Sequence, residues 1–343
     1  MKSSVHSFGS WNLLTLSLAL LFALPFFSLI ITAGSGGENV WGHLLSTVMP
    51  GYLKNTFWLM LGVGSGTLLL GVSTGWLISM TEFPGRRMME WALLLPLAFP
   101  GYIIAMVYVE LLEFSGPVQE QLRLWFGWQN YMDYWFPPIA SLGGAIMMLS
   151  LVLFPYVYLL ARTAFLQQSV TLMEASRMLD KSAVNSFFMI ALPLARPAIV
   201  VGVSLAMMET LADFGTMQLF AVQTFTTGIY NTWFGAYNAP GAAQLSLSLL
   251  TFISFFIFLE RYSRKQQRFN AQSSIKNVHT RYYLSRIRAV LALLFCIFPV
   301  LFGFALPAGL LIQWATESWR GVMLDRFFSD AGNSLLLAGV TAL

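Results

Sequence analysis

Charged residues, cysteine and histidine are all scarce in this chain of 343 residues. Only 10% of the residues are charged, while 57% are hydrophobic and 15% aromatic, which is too apolar for a soluble domain of this length. The single cysteine, Cys296, has no partner for an intrachain disulfide. The three histidines are scattered, which argues against a high-affinity metal site of the His-cluster kind. We therefore expect a polytopic membrane protein without a metal site or a cofactor.

The placement of charge and the lack of a phosphate loop exclude two further functions. The net charge is +4, but the bases are confined to a few loops between apolar runs, as membrane topology requires. Nucleic acid is therefore not an expected partner. The chain has no Gly-x-x-x-x-Gly-Lys-Ser/Thr pattern, so we expect no ATP hydrolysis by this chain and no enzyme activity.

Apolar runs long enough to cross a membrane recur along the sequence. A spanning helix needs about 20 predominantly apolar residues, because lipid offers no partner to an unpaired backbone group. The predicted fold class is therefore all-α and polytopic, with about seven to eight transmembrane helices. The predicted helices lie at 11–33, 53–80, 91–112, 139–161, 192–212, 243–260 and 287–314, and the last begins near residue 333.

The basic residues predict the orientation of these helices. The first helix resembles a signal peptide, but its apolar run is about twice the usual length, so we expect it to be retained. With the N-terminus in the cytoplasm, fifteen of the nineteen bases fall on the inner side and four on the outer side. The positive-inside rule therefore predicts a cytoplasmic N-terminus.

Two predicted helices contain glycines or prolines that affect how the backbone packs or bends. The second contains glycines at four-residue spacing, which let another helix approach closely; they are Gly62, Gly66, Gly71 and Gly75. The third contains Pro96, Pro100 and Gly101, so its hydrogen-bond ladder must break at least once. Such a break is tolerated in lipid only where protein or a water-filled cavity covers it. Pro100 and Gly101 therefore mark either a packed kink or a wall of a translocation path.

Two acidic residues, Glu209 and Asp213, lie one helical turn apart near the outer end of the fifth helix. An acidic side chain at the bilayer centre costs on the order of 3 kcal/mol on insertion scales, so neither should face lipid. We interpret them either as interfacial carboxylates at a helix end or as the lining or gate of a polar pathway.

The chain begins to repeat itself after its most basic loop. The run Leu-Ala-Leu-Leu-Phe occurs at 18–22 and again at 291–295, an offset of 273 residues, with a proline shortly after each copy. A second match near residues 55 and 333 has an offset of 278. We therefore predict an internal duplication, and expect the chain to be a fragment or incomplete version of a longer protein. The predicted units are a first half at 1–270 with its core at 53–260, a basic cytoplasmic linker at 271–286, and an incomplete second half at 287–343.

Residues 174–193, which we call the polar segment, are the conspicuous polar interruption between membrane helices. By the predicted topology they lie in the cytoplasm. They can form two short helices joined at Asp180, with Pro193 at the start of the next span. Such a knob can transmit force from a soluble motor into the fifth helix, whereas the simpler interpretation is an ordinary connecting loop.

The polar segment resembles the cytoplasmic signature of binding-protein-dependent ABC importer permeases of the type I, MetI-like fold. That signature is Glu-Ala-Ala, three residues, Gly, nine residues, Ile, one residue, Leu-Pro. Ser176 stands for the second alanine and Asp180 for the glycine, and Asp is one of the few residues that can take the place of a glycine at positive φ. The matching positions are Glu174, Ala175, Ser176, Asp180, Ile190, Leu192 and Pro193.

Further runs resemble the ferric-iron branch of these permeases, whose members fuse two permease halves in one polypeptide. They are the Asn-Thr pair at 55–56, the Phe-Pro-Gly-Tyr break at 99–102 and the run at 211–216. Thiamine, putrescine and sulfate permeases are built on similar halves, so ferric iron is one of several substrates in question. An ion channel or ion-coupled carrier is a different possibility, which predicts ionisable residues near the midplane of several helices.

The resemblance implies partners and a location. A periplasmic binding protein would deliver substrate, and a cytoplasmic ABC ATPase dimer would grip the short helices around Glu174. Glu174 would bond a basic residue of the ATPase, with Ala175 and Ser176 keeping the contact close. The protein would lie in the lipid of the bacterial inner membrane.

Overall fold

A computed structural model describes residues 10–35, 40–168, 183–264, 281–318 and 324–342, and these residues form helices almost throughout. The helices are α1 Ser10–Gly34, α2 Val40–Thr47, α3 Met49–Met80, α4 Arg86–Ala92, α5 Gly101–Leu112, α6 Pro117–Phe126, α7 Leu142–Leu166, α8 Ala183–Ser186, α9 Leu192–Ala212, α10 Gly215–Leu219, α11 Phe225–Tyr230, α12 Ala239–Arg264, α13 Arg286–Val300, α14 Leu306–Ser318 and α15 Leu324–Ala342. Two short strands, β1 Thr81–Glu82 and β2 Tyr282–Tyr283, form one parallel pair.

The predicted all-α polytopic fold is confirmed. In the described part of the chain, six segments are long and apolar enough to cross a membrane, and α12 supplies a shorter apolar helix, Ala239–Phe255. The six are Asn12–Gly34, Met49–Met80, Gly101–Phe126, Leu142–Leu166, Phe187–Ala212 and Arg286–Ser318. The last helix begins at Leu324, nine residues before the predicted start at 333. The apolar pattern missed this beginning because charged residues interrupt it between 325 and 330.

We name the two ends of the helix bundle for their side chains. At the basic end, α3 and α7 finish and α13 begins, and Arg86, Arg162 and Arg281 lie there. At the aromatic end lies α6 with the loop that follows it. Here the polar Gln119 is buried while Trp125 is 71% exposed, the reverse of a helix facing water. This arrangement agrees with the interfacial position that aromatic side chains favour.

The parallel pair α3 and α7 forms the centre of the core. The glycines of α3 lie against α7, so the close helix approach predicted from their spacing is confirmed and α7 is the partner. A Cβ added to each glycine would meet a residue of α7. The glycines and the residues they meet are Gly62 with Ile146, Gly66 with Ser150, Gly71 with Val157 and Gly75 with Ala161. Fully buried Phe154 and Tyr158 of α7 continue this core toward the basic end.

The predicted break in the third span is confirmed and is larger than a single kink. Helix α4 ends at Ala92, a 3₁₀ turn follows at Leu95–Ala98, and α5 begins only at Gly101. Prolines cause this, because Pro96 and Pro100 have no N–H to donate to the preceding turn. Buried Pro96 lies against Gly303, in the π-helical stretch that joins α13 to α14. Protein therefore covers one side of the break.

Helices α13 and α14, which we assign to the predicted second half, pack on the first. The Tyr108 hydroxyl of α5 donates a hydrogen bond of 2.5 Å to the carbonyl of Phe302, and the Phe99 and Phe304 rings lie 5.4 Å apart. By contrast, α1 contacts mainly α12, where the Gln244 side chain donates to the Ala33 carbonyl at 3.0 Å. The boundary at 271–286 itself stays a prediction.

Candidate functional site

The polar segment lies only partly within the described residues. Glu174, Ala175, Ser176 and Asp180 fall outside them, whereas the C-terminal positions are described. These are Ile190 and Leu192, both half-buried, and Pro193, which is exposed. The structure therefore describes the base from which the segment leaves and to which it returns.

A hydrogen bond joins the two sides of that base. Gln168 is the last described residue before the segment, and its side-chain Nε2 donates to the carbonyl of Ala191 at 2.8 Å. Both residues are buried. The end of α7 is therefore held against the turn that leads into α9.

An aromatic cluster fills the space below this hydrogen bond. The Trp76 ring of α3 lies 5.4 Å from Phe165 of α7 and 5.0 Å from Phe187, which precedes α9. Ile190 and Leu192 pack against the same buried group. Three helices thus meet here through large rigid side chains, which pack closely and transmit displacement.

The described C-terminal part of the polar segment continues directly into the membrane-spanning helix. Residues 183–212 are helical throughout, with one wider π turn at Phe187–Ala191. That turn lies just before Pro193, whose ring would clash with the carbonyl four residues earlier in a regular α-helix. The Leu192 N–H accordingly donates to the carbonyl of Phe187, five residues back. One continuous helix therefore connects Ala183 with the residue before Asp213.

At the far end of α9, the structure brings Asp213 next to the break before α5. One Asp213 carboxylate oxygen, Oδ1, accepts a hydrogen bond of 2.9 Å from the Thr216 backbone N–H. The other, Oδ2, faces Gly101, where an added Cβ would lie 3.0 Å from it. Asp213 is thus placed near the first turn of α5, where the positive end of the helix dipole favours a carboxylate.

The other two predicted pathway residues differ in their surroundings. Glu209 is exposed on α9 one turn before Asp213, within electrostatic range of Tyr156 on α7. Pro100 is also exposed. An exposed carboxylate on a membrane-spanning helix requires polar surroundings. Glu209, in the last turn of α9, therefore fits either an interfacial carboxylate or the lining of a polar pathway.

Thr216 is a site residue that the sequence interpretation missed. Its side chain is fully buried, and its hydroxyl has no hydrogen-bond partner among the described residues. The hydroxyl would lie 3.1 Å from a Cβ at Gly101, beside the Asp213 carboxylate. The three-residue spacing of Asp213 and Thr216 is typical of a helix cap, and that signal could have identified it.

A cavity and the distribution of possible metal ligands indicate which kinds of solute this region could bind. An apolar cavity of about 440 Å³ lies between α3, α9 and α12, bounded by Met60, Val203, Met207 and Ile257 among others. Such walls offer no ligands to a hydrated ion, so a polar pathway is better placed on the Glu209 face. Across the described ranges, no group of three or more His, Cys, Asp or Glu side chains is arranged to hold a metal ion.

Comparison with known proteins gives a family and several relatives. Residues 67–269 match the family described as binding-protein-dependent transport system inner membrane component. The chain is 28% identical over 340 residues to the Fe(3+)-transport system permease protein FbpB 2 of Haemophilus influenzae, which covers 97% of this chain and 62% of that protein. It is 29% identical over 210 residues to the molybdenum transport system permease protein ModB of Escherichia coli, covering 58% of this chain and 88% of that protein.

A solved structure has the same fold. A chain of a bacterial alginate ABC transporter, crystallised with an alginate-bound periplasmic protein, superposes with a TM-score of 0.58 at 17% identity. The match covers 75% of this chain and 94% of that chain. The chain spans less than two thirds of the length of the Haemophilus relative.

Proposed function

The chain belongs to the family of binding-protein-dependent transport system inner membrane components, and we propose on this premise that it is the permease of an ATP-driven importer. It passes substrate from a periplasmic binding protein through the membrane to the cytoplasm. The observation that carries this proposal is the family match over residues 67–269, which includes the polar segment. The N-terminus lies in the cytoplasm, so the basic end is the cytoplasmic end.

The polar segment is the docking site of an ABC ATPase dimer. The continuous helix from Ala183 to Ala212 and the contact of Gln168 with Ala191 support this role, because they connect the segment rigidly to α7 and α9. Glu174 contacts a basic residue of the ATPase. ATP binding and hydrolysis occur in that partner and move the segment.

Asp213, Gly101 and Glu209 belong to the translocation path. The proximity of Asp213 to Gly101 at the break before α5 supports this, since irregular backbone in a membrane protein lies against protein or a water-filled cavity. The displacement of the polar segment by the ATPase is transmitted through α9 to this break. Alternating access to the two sides follows from that motion.

Ferric iron is the substrate that we propose. The match to the Fe(3+) permease extends over 97% of this chain, whereas the match to the molybdenum permease covers 58%. The carboxylates of Asp213 and Glu209 in the proposed path also favour a cation over an oxyanion, because like charges repel in a low-dielectric site. Molybdate is the second candidate, favoured by the molybdenum relative.

The test of the importer function uses the purified complex. A wild-type permease retains its ATPase subunit through detergent purification, and Glu174→Arg loses it because the acidic contact is reversed. Unchanged ATPase binding in that variant counts against the docking role. The substrate is tested separately, by uptake of radiolabelled ferric iron and of radiolabelled molybdate into proteoliposomes with the cognate binding protein. Uptake of molybdate alone would overturn the iron assignment.

The same uptake assay distinguishes the importer from an ion channel or an ion-coupled carrier. Uptake that requires enclosed ATP and stops with a hydrolysis-deficient ATPase supports the importer. Uptake at the same rate without ATP would instead support the channel or carrier.

A further inference from the structure

Five charged side chains form a row of alternating sign at the basic end of the bundle. We call it the charge row: Arg162, Glu90, Arg86, Glu82 and Arg281. Arg162 pairs with Glu90, whose Oε2 lies 3.4 Å from Nη1 of Arg86. Arg86 Nε lies 3.3 Å from Oε2 of Glu82, and Arg281 Nη1 lies 3.4 Å from the same oxygen.

The middle of the charge row is buried and anchored to the backbone. Arg86 is only 6% exposed and also donates to the carbonyl of Ile78 at 3.1 Å. The Tyr158 hydroxyl donates to the backbone carbonyl of Glu90 at 2.9 Å. Burying charges is costly, and apolar side chains of similar size often stabilise a core as well or better. Stability alone is therefore a weak reason for this network.

The position of the charge row suggests a different role. Arg162 lies on α7 six residues before Gln168, where the described chain stops ahead of the polar segment. Arg281 lies at the other end of the row, just before β2, which pairs in parallel with β1 and leads into α13. The row therefore connects the helix that enters the polar segment with the first helix of the predicted second half.

We propose that the charge row is a second mechanical link of the importer, beside the continuous helix α9. It fixes the end of α7 to α4 and, through β1 and β2, to α13, so that a displacement of the polar segment also moves the second half. Glu90, Arg86 and Glu82 are positioning residues for coupling, because they act through the helices they join. This inference rests on the proposed importer function.

The test compares hydrolysis with uptake in the full complex. In proteoliposomes carrying permease, ATPase and binding protein, ATP hydrolysis and uptake of radiolabelled ferric iron are measured together. We expect Arg281→Gln to keep hydrolysis within about twofold of wild type while uptake per ATP falls at least fivefold. Arg281→Lys, which keeps the charge, restores most of the ratio. Arg162→Gln removes the charge at the other end of the row and should show the same loss.

A matched control lies next to the row. Arg87 is exposed and makes no ion pair in the ranges the structure describes, so Arg87→Gln should leave the ratio of uptake to hydrolysis unchanged. An unchanged ratio in both Arg281→Gln and Arg162→Gln overturns the proposal. A parallel fall of hydrolysis and uptake with a lower melting temperature also overturns it, since that is the effect of a structural contact. If the wild-type complex takes up neither ferric iron nor molybdate with ATP, the proposed function fails, and this inference with it.

Discussion

The contact between α3 and α7 gives a prediction whose magnitude follows from distances. In Gly71→Ala the new Cβ would lie 2.5 Å from the Val157 Cβ, 2.8 Å from the Tyr158 backbone N and 2.9 Å from the Phe154 carbonyl oxygen. Favourable contacts between carbon atoms occur at about 3.5–4.0 Å, so the two helices must move apart by roughly 1 Å. Two of the three neighbours are backbone atoms, which cannot rotate away.

The expected effect is a loss of stability. Overpacking a tight core costs typically about 1–3 kcal/mol, partly offset by the better helix propensity of alanine, about 1 kcal/mol. We expect a net loss of up to roughly 2 kcal/mol at Gly71 by these two figures. Thermal unfolding of the detergent-solubilised protein, followed by circular dichroism, measures this as a lowered melting temperature.

Two other glycines of α3 serve as matched controls. A Cβ at Gly75 would lie 3.3 Å from both the Ala161 Cβ and the Arg162 N, a contact that small shifts relieve, and one at Gly51 would meet nothing within 4 Å. The melting temperature should therefore fall most for Gly71→Ala, less for Gly75→Ala, and not at all for Gly51→Ala. Equal melting temperatures for Gly71→Ala and Gly51→Ala would refute the close approach of α3 and α7.

Three further predictions concern the ends of the bundle. Gln168→Ala removes the hydrogen bond that joins the two sides of the polar segment; we expect at least a threefold lower uptake per ATP, while equal ratios in variant and wild type would show that the bond is not used. Replacing Glu209 with Gln and Asp213 with Asn together should reduce iron uptake severalfold in an intact complex, and unaltered uptake would remove both from the path. Hydrogen bonds from backbone N–H groups, that of Asn130 first, lower the pKa of the Asp133 carboxyl below its ordinary value. These hydrogen bonds stabilise the turn above the ordinary carboxyl pKa, and the stabilisation is lost as pH falls through the lowered pKa. Hydrogen exchange of the Asn130 amide should therefore become faster at such acidic pH in the wild type, and should not show this change in Asp133→Asn. The same dependence of exchange on pH in both proteins would contradict this.

Local patterns in the sequence were sufficient for the membrane-spanning helices and their irregularities. Lipid requires every backbone group in a span to be paired, so apolar length alone identified the helices. The break at Pro96 and Pro100 followed from their missing N–H groups, and the glycine spacing of α3 showed that some helix must approach it closely. The glycine spacing did not identify that helix as α7, because spacing along one helix carries no information about its partner.

Contacts between residues that are distant in the sequence became known only from the packing of the helices. Asp213 lies 112 positions from Gly101, and Arg281 lies 199 positions from Glu82, and neither pair has a local signal in the sequence. Such contacts depend on how all the helices pack together. The sequence therefore does not distinguish a carboxylate or an arginine in an ion pair from a charged residue in a loop. The order of residues alone predicted a polytopic permease fold with a polar segment between helices. The packing of the described helices shows that this segment leaves and rejoins one base, next to a partly buried row of charges that reaches the predicted second half.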